Sequence, residues 1–309
     1  MKINRIKSRT DLHQPMFGLI NVNKPAGMTS RDVVNRIVRR CPRKTKVGHA
    51  GTLDPMATGV LVVAIGPATK LIQYPQQQLK TYVGSFRLGL SSDTEDVTGN
   101  VSELANAPII DQQQLLDTFP GFIGQIEQTP PQFSAVKVDG QRAYKAARAG
   151  LKVDIKPRPT FIDSISVGEF CYPDFQIEIT CGKGTYVRTL GRDIARSLGS
   201  DAVMTSLQRT AIGEFSIESA VSLEDIENQS IDELMMNPKL MVASMHTQTL
   251  QPEEIERLRH GKRLCSQNWD EFENTEIAAL NASGQLLAVL ERKSDSEFAS
   301  RINFVPQLY

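Results

Sequence analysis

Between residues 48 and 59 the chain reads Gly-His-Ala-Gly-Thr-Leu-Asp-Pro-Met-Ala-Thr-Gly, and the unbroken apolar run from Val60 to Ile65 follows at once. The apolar run reads as a buried strand. The three glycines let the chain turn tightly into it, because glycine tolerates backbone angles that other residues avoid. Pro55 lacks a backbone donor and biases Asp54 toward extended backbone. A single carboxylate is therefore predicted to project from a turn at a strand end. Any fold this chain adopts must present Asp54 there.

The charge pattern says what that carboxylate faces. The 309 residues carry 35 Lys/Arg and 35 Asp/Glu, a formal net charge of zero. Residues 1–50 nevertheless hold twelve Lys/Arg against Asp11 and Asp32, a balance of +10, and the remainder carries −10. So long a basic bias running into Asp54 points to a polyanionic partner. No apolar run approaches the roughly 18 residues of a membrane span, and the basic N-terminus has no apolar core of a signal peptide. Four scattered cysteines without a CxxC pair (Cys41, Cys171, Cys181, Cys265) fit reduced thiols rather than disulfides or zinc. These features predict a cytoplasmic protein with no membrane partner.

Alternation and punctuation outline the elements. A strand is expected over 17–22, followed by a turn at Asn23–Gly27 and a helix that Ser30 can cap and Pro42 ends. Tyr82, Gly84, Phe86 and Leu88 alternate as a strand, and residues 91–100 read as a polar turn. A stretch bounded by Pro130-Pro131 and Pro157-Arg158-Pro159 carries six cations and an Ala-rich helix at Ala143–Ala149. It reads as a basic arm over 128–159 that closes on a ligand. Tyr186-Val187-Arg188 is expected to continue a strand after the turn at 181–184, and Leu190–Leu198 to form a helix stopped by Gly199. Gly182-Lys183-Gly184-Thr185 lacks the GxxxxGK[ST] spacing of a phosphate loop. From about residue 248 the pattern changes to a helix at Glu253–Arg259 and strands at 275–280 and 286–290.

Several stretches, in order, carry a resemblance. They are Asn23–Ser30, the Asp54 segment, Lys80-Thr81-Tyr82, Gln128–Lys137, Gly184–Arg188, Leu207–Thr210 and Gly213–Phe215. Together they closely resemble the bacterial tRNA pseudouridine-55 synthases, the TruB family. The resemblance implies a mixed α/β pseudouridine synthase fold with a central, largely antiparallel sheet. It divides the chain into a catalytic domain over 1–247, including the arm, and a small β-rich PUA-like module over 248–309 that binds RNA. The chain departs from the family near residue 207, where Ala202-Val203 and Gln208 replace a histidine and paired arginines.

The implied reaction converts uridine to pseudouridine in the T-loop of transfer RNA, with no metal, nucleotide or redox cofactor. The N1–C1′ bond must break, the uracil must turn, and C5 must join C1′, for which an ionised carboxylate is a suitable partner. By resemblance Asp54 takes that role, attacking either C1′ or C6. Arg188 pairs with it and keeps it ionised. Tyr82 stacks on the target base, and Tyr186 and Leu207 line the base pocket. His49 contacts the RNA loop where the extruded uridine had been, and Lys24-Pro25 supports the catalytic loop. The expected partner is the T-arm of transfer RNA, with no obligatory protein partner and a monomer favoured. A guide-RNA-dependent pseudouridine synthase and a non-catalytic tRNA-folding chaperone are the rival readings.

Overall fold

The structure is a computed structural model describing residues 16–134, 136–138, 140–151, 153–265, 276–294 and 296–308. Its centre is a nine-stranded sheet. The main path runs Gly18–Lys24, Thr58–Ile65, Ala202–Ile212, Lys80–Leu88, Asp174–Cys181, Arg158–Cys171 and Gly124–Gln128, while Val47–His49 and Phe215–Ser216 flank it. All neighbouring strands are antiparallel except Ala202–Ile212 beside Thr58–Ile65, where Gln208 and Arg209 pair in parallel with Thr58 and Gly59. The mixed α/β class and the largely antiparallel sheet agree with expectation. The one parallel contact lies next to the Asp54 segment.

The apolar run at 60–65 is buried at every position, as an unbroken hydrophobic strand requires. On one face Val33, Val34 and Ile37 of the Ser30–Arg40 helix pack against Ile20, Leu61 and Val63. Elsewhere the Val187–Ser197 helix buries Leu190, Ile194 and Ala195 against Phe86, Ile177 and Met204. Phe86 and Phe175 stack at 5.2 Å between centroids within that cluster.

Two expected element ends move. The cap of the first helix is Thr29, in a reciprocal capping box with Asp32, and Ser30 is the first helical residue. Ser30 instead accepts a hydrogen bond from Leu53 N at 2.8 Å, and its hydroxyl donates to Leu53 O. The helix after the 181–184 turn begins at Val187, so Arg188 lies in its first turn and not on a strand. The cause is the Gln128 side chain, which accepts from Tyr186 N at 2.8 Å and donates to Tyr186 O at 3.0 Å. A side chain thus supplies the pairing that a strand neighbour would give, and the chain is free to coil immediately afterwards.

Within 128–159 the structure has a short hairpin, Lys137–Val138 with Gln141–Arg142, and the helix Ala143–Arg148. Lys137, Arg142, Lys145 and Arg148 lie on this segment, whose helix buries Ala143. A five-stranded sheet forms from Thr247–Thr249, Glu276–Leu280, Leu286–Arg292, Glu297–Asn303 and Leu264–Cys265. Its apolar face joins one cluster with Leu19, Val60, Val62 and Ala64 of the central sheet, through Met241 and Val242. Phe17 and Phe304 meet across this junction at 4.6 Å. No helix among the described residues is long and apolar enough to cross a membrane.

Candidate active site

The Asp54 turn is built on buried cations. Lys24 is fully buried, and its ammonium donates to the carbonyls of Met28 at 2.7 Å, Pro25 at 2.9 Å and Pro55 at 3.2 Å. Arg209, 1% exposed, donates from Nε to Val60 O at 2.8 Å and from Nη2 to Gly51 O at 3.1 Å. Gly59, at φ +99°, sits so close to Arg209 that a Cβ there would fall 2.2 Å from the Arg209 carbonyl oxygen. Only glycine permits that approach. With Ser30 holding both polar groups of Leu53, the backbone on either side of Asp54 is fixed by donors and acceptors reaching in from three elements.

The side chain that results is accessible and aimed. Asp54 is 48% exposed, and its carboxylate lies 3.4 Å from Arg188 Nη1. Arg188 is itself almost wholly buried and is held by two further bonds, to Asp96 Oδ2 at 3.0 Å and to Phe133 O at 2.7 Å. Burial alone would raise the Asp96 carboxyl, but hydrogen bonds from Thr98 and Thr94 and the Arg188 charge together outweigh it and hold the group below its usual range. Asp96 is therefore a fixed anion that positions Arg188 from behind. Beside it, buried Glu95 accepts from the Thr189 hydroxyl and pairs with Arg192, so two consecutive acids grip successive turns of one helix.

A cleft of about 360 Å³ opens over Asp54. Tyr82, Tyr186, Leu207 and Arg188 line it, together with Phe133, Ser134, Met204, Lys80 and Arg209. Tyr82 hangs from the Lys80–Leu88 strand, and burial pushes its phenol up, so the ring is neutral at physiological pH. Burial likewise raises the Tyr186 phenol. Lys80, 6% exposed, is lowered to about 8, first by burial and then by the Arg209 charge, and its ammonium donates to Gln76 O at 2.7 Å. His49 stands apart from these residues. It sits on the flanking strand Val47–His49, outside the cleft lining, with Nδ1 buried and unpaired. Burial, then the charges of Arg31 and Arg209, lower its pKa.

A polar turn over 91–100 gives no hint of what Glu95 and Asp96 do, yet both are buried. The signal for Arg209 is stronger: a cation between apolar positions of an alternating strand. Phe133 and Ser134 come from the base of the basic arm, which thereby forms one wall of the cleft.

Known proteins resemble this chain in sequence and in fold. Residues 39–187 match the model of the TruB family pseudouridylate synthase N-terminal domain, and residues 188–247 match the tRNA pseudouridylate synthase B C-terminal domain. A tRNA pseudouridine synthase B of Thermobifida fusca is 38% identical over 287 residues, covering 90% of this chain and 96% of that protein. The chain belongs to the TruB family. The synthase of the same name from Clostridium tetani is 42% identical over 72% of this chain and 76% of its own. Among solved structures, a Cbf5–Nop10–Gar1 complex shares the fold with a TM-score of 0.69 at 22% identity, covering 98% of this chain and 92% of the matched one. An H/ACA ribonucleoprotein bound to a substrate RNA gives 0.70 at 21%, covering 94% and 86%. The two TruB domains meet between Val187 and Arg188, and residues 248–309 lie beyond both.

Proposed function

We propose that this TruB-family chain isomerises uridine to pseudouridine at position 55, in the T-loop of transfer RNA, with Asp54 as the nucleophile. The observation that carries the reading is the half-exposed Asp54 carboxylate held 3.4 Å from a buried Arg188 at the floor of a base-sized cleft. The flipped uridine enters between Tyr82 and Tyr186, with Leu207 closing the apolar side. Extruding it costs a few kcal/mol, which stacking on Tyr82 helps offset. The N1–C1′ bond breaks with its electron pair on the uracil, and Asp54 holds the sugar or pyrimidine carbon while the ring turns. C5 then bonds C1′, the C5 proton departs, and N1 is protonated. Atoms and oxidation state balance, so the reaction requires neither metal nor redox cofactor.

Arg188 pairs with the Asp54 carboxylate and aims it at the base in the closed, water-excluded site. Lys24, Ser30 and Arg209 hold the loop. The arm over 128–159 supplies phosphate contacts, residues 248–309 add an RNA-contacting module, and His49 touches the displaced RNA loop at the rim. The test maps pseudouridine in unmodified transfer RNA incubated with the purified protein, without guide RNA and in excess chelator. Conversion at position 55 is expected. Conversion only with an added guide RNA or a divalent metal, or at another position, would contradict the reading.

A further inference from the structure

The Ser30–Arg40 helix carries more cations than the site uses, and the structure sorts them into two stripes. Arg36 pairs with Glu227, and Arg40 donates to the carbonyls of Glu227 and of Gln229, the latter at 2.8 Å. These arginines dock the Leu223–Asn228 helix. Arg31, Asn35 and Arg39 lie four residues apart on the neighbouring flank, and Arg43 follows just past the helix end; all four are exposed. Among the described residues Arg31, Arg39 and Arg43 make no ion pair or hydrogen bond, and Lys44 and Lys46 extend the same bare surface.

A solvated helix face usually mixes charge signs, whereas this flank carries only arginines and Asn35. Asp32, the single acid on this helix, is committed to the helix start, where its carboxylate accepts from Thr29 N at 3.0 Å and from the Thr29 hydroxyl at 2.6 Å. The stripe also starts next to the residue that clamps Leu53 of the cleft lining. Arg31 follows Ser30, which clamps Leu53 beside Asp54. From Arg31 to Arg39 the helix rises about 12 Å.

We propose that Arg31, Arg39 and Arg43 form a phosphate-binding ridge for the RNA stem that adjoins the loop entering the cleft, while Arg36 and Arg40 serve the fold. The inference rests on the RNA reading above and extends the substrate contact away from the cleft along one helix. The ridge recognises backbone charge and no base sequence.

The experiment compares Arg39→Gln/Arg43→Gln with Arg40→Gln and wild type, measuring affinity for one unmodified transfer RNA between about 50 and 200 mM salt. Every arginine–phosphate pair removed flattens the log–log slope by about 0.7–0.9, so the double variant is expected to be shallower by about 1.5 units. Arg40→Gln is expected to lower the unfolding midpoint and keep the wild-type slope. An unchanged slope in the folded double variant, or an equally flattened slope in Arg40→Gln, would overturn the ridge; the former would leave the stripe to solvent or to an acidic protein. Failure of the parent reading is separately visible, because wild type would then leave uridine 55 unconverted.

Discussion

The two sides of the cleft hold buried cations in opposite ways. On the loop side, Lys24 and Arg209 have no carboxylate within bonding distance among the described residues and direct their donors at main-chain carbonyls. On the helix side, Arg188 and Arg192 face acids: Asp54, Asp96, Glu95 and Asp193. The first arrangement fixes a backbone and leaves the cation's charge uncancelled beneath the cleft. The second fixes a carboxylate. A site that must present one anion to a polyanion needs both, since an unheld loop would let Asp54 retreat and an unpaired Asp54 carboxylate would lose its aim.

The comparison breaks most visibly at Arg188. Arg188→Met strands the buried Asp96, so a stability loss of about 3–5 kcal/mol is expected in urea unfolding. Single-turnover conversion should also fall, by about 10²–10³-fold, the scale of one missing electrostatic partner. Adding Asp96→Asn to that variant should restore much of the stability and none of the rate. A double variant that regained rate would place the essential contact elsewhere.

Arg209→Met probes the other side. It leaves Gly51 O and Val60 O without their donor, and a loss of about 2–4 kcal/mol is expected from one buried and one half-buried acceptor. No acid is stranded by this change, so no second substitution of a carboxylate should rescue it. Ser30→Ala removes the clamp on Leu53 and is expected to cost about 1–2 kcal/mol, read as a lower thermal midpoint.

The smallest effect concerns Lys80. Its folded pKa of about 8 lies below the ordinary lysine value, so the unfolded chain binds more protons above pH 8 and stability rises with pH there. Between about pH 7.5 and 8.5 wild type should gain about 0.7 kcal/mol relative to Lys80→Met in urea unfolding, a difference set by one titrating group. A constant difference across that range would show that the ammonium is not penalised by burial.

Much of the site is legible in the sequence because its residues lie at turns and strand starts that glycine and proline mark. Asp54 and Tyr186 stand at such turns, while Tyr82 near its strand start and Leu207 within the Ala202–Ile212 strand are legible through the family motif, and all four line one cleft. Arg188 is legible through the family motif although its element is not, because the Gln128 side chain that frees the chain to coil is distant in sequence. Glu95 and Asp96 escape notice for a related reason. Polar residues in a turn look solvated until the helix that buries them is known, and that helix lies some 90 residues further on. The C-terminal sheet shows in the sequence as a change of pattern, but local patterning cannot reveal that its apolar face closes over Val60, Val62 and Ala64.

Asp54→Asn tests the central claim most directly, since it keeps the side chain's size and removes its charge. Circular dichroism, transfer-RNA binding and single-turnover conversion would be measured on the same preparation. The expected result is a folded protein that binds RNA at least as tightly as wild type, because one negative charge has left a surface facing a polyanion. Pseudouridine formation should become undetectable, a loss beyond the roughly 10²–10⁴-fold of a missing general acid or base. A folded Asp54→Asn variant converting uridine within about tenfold of wild type would contradict the assignment of Asp54 as nucleophile.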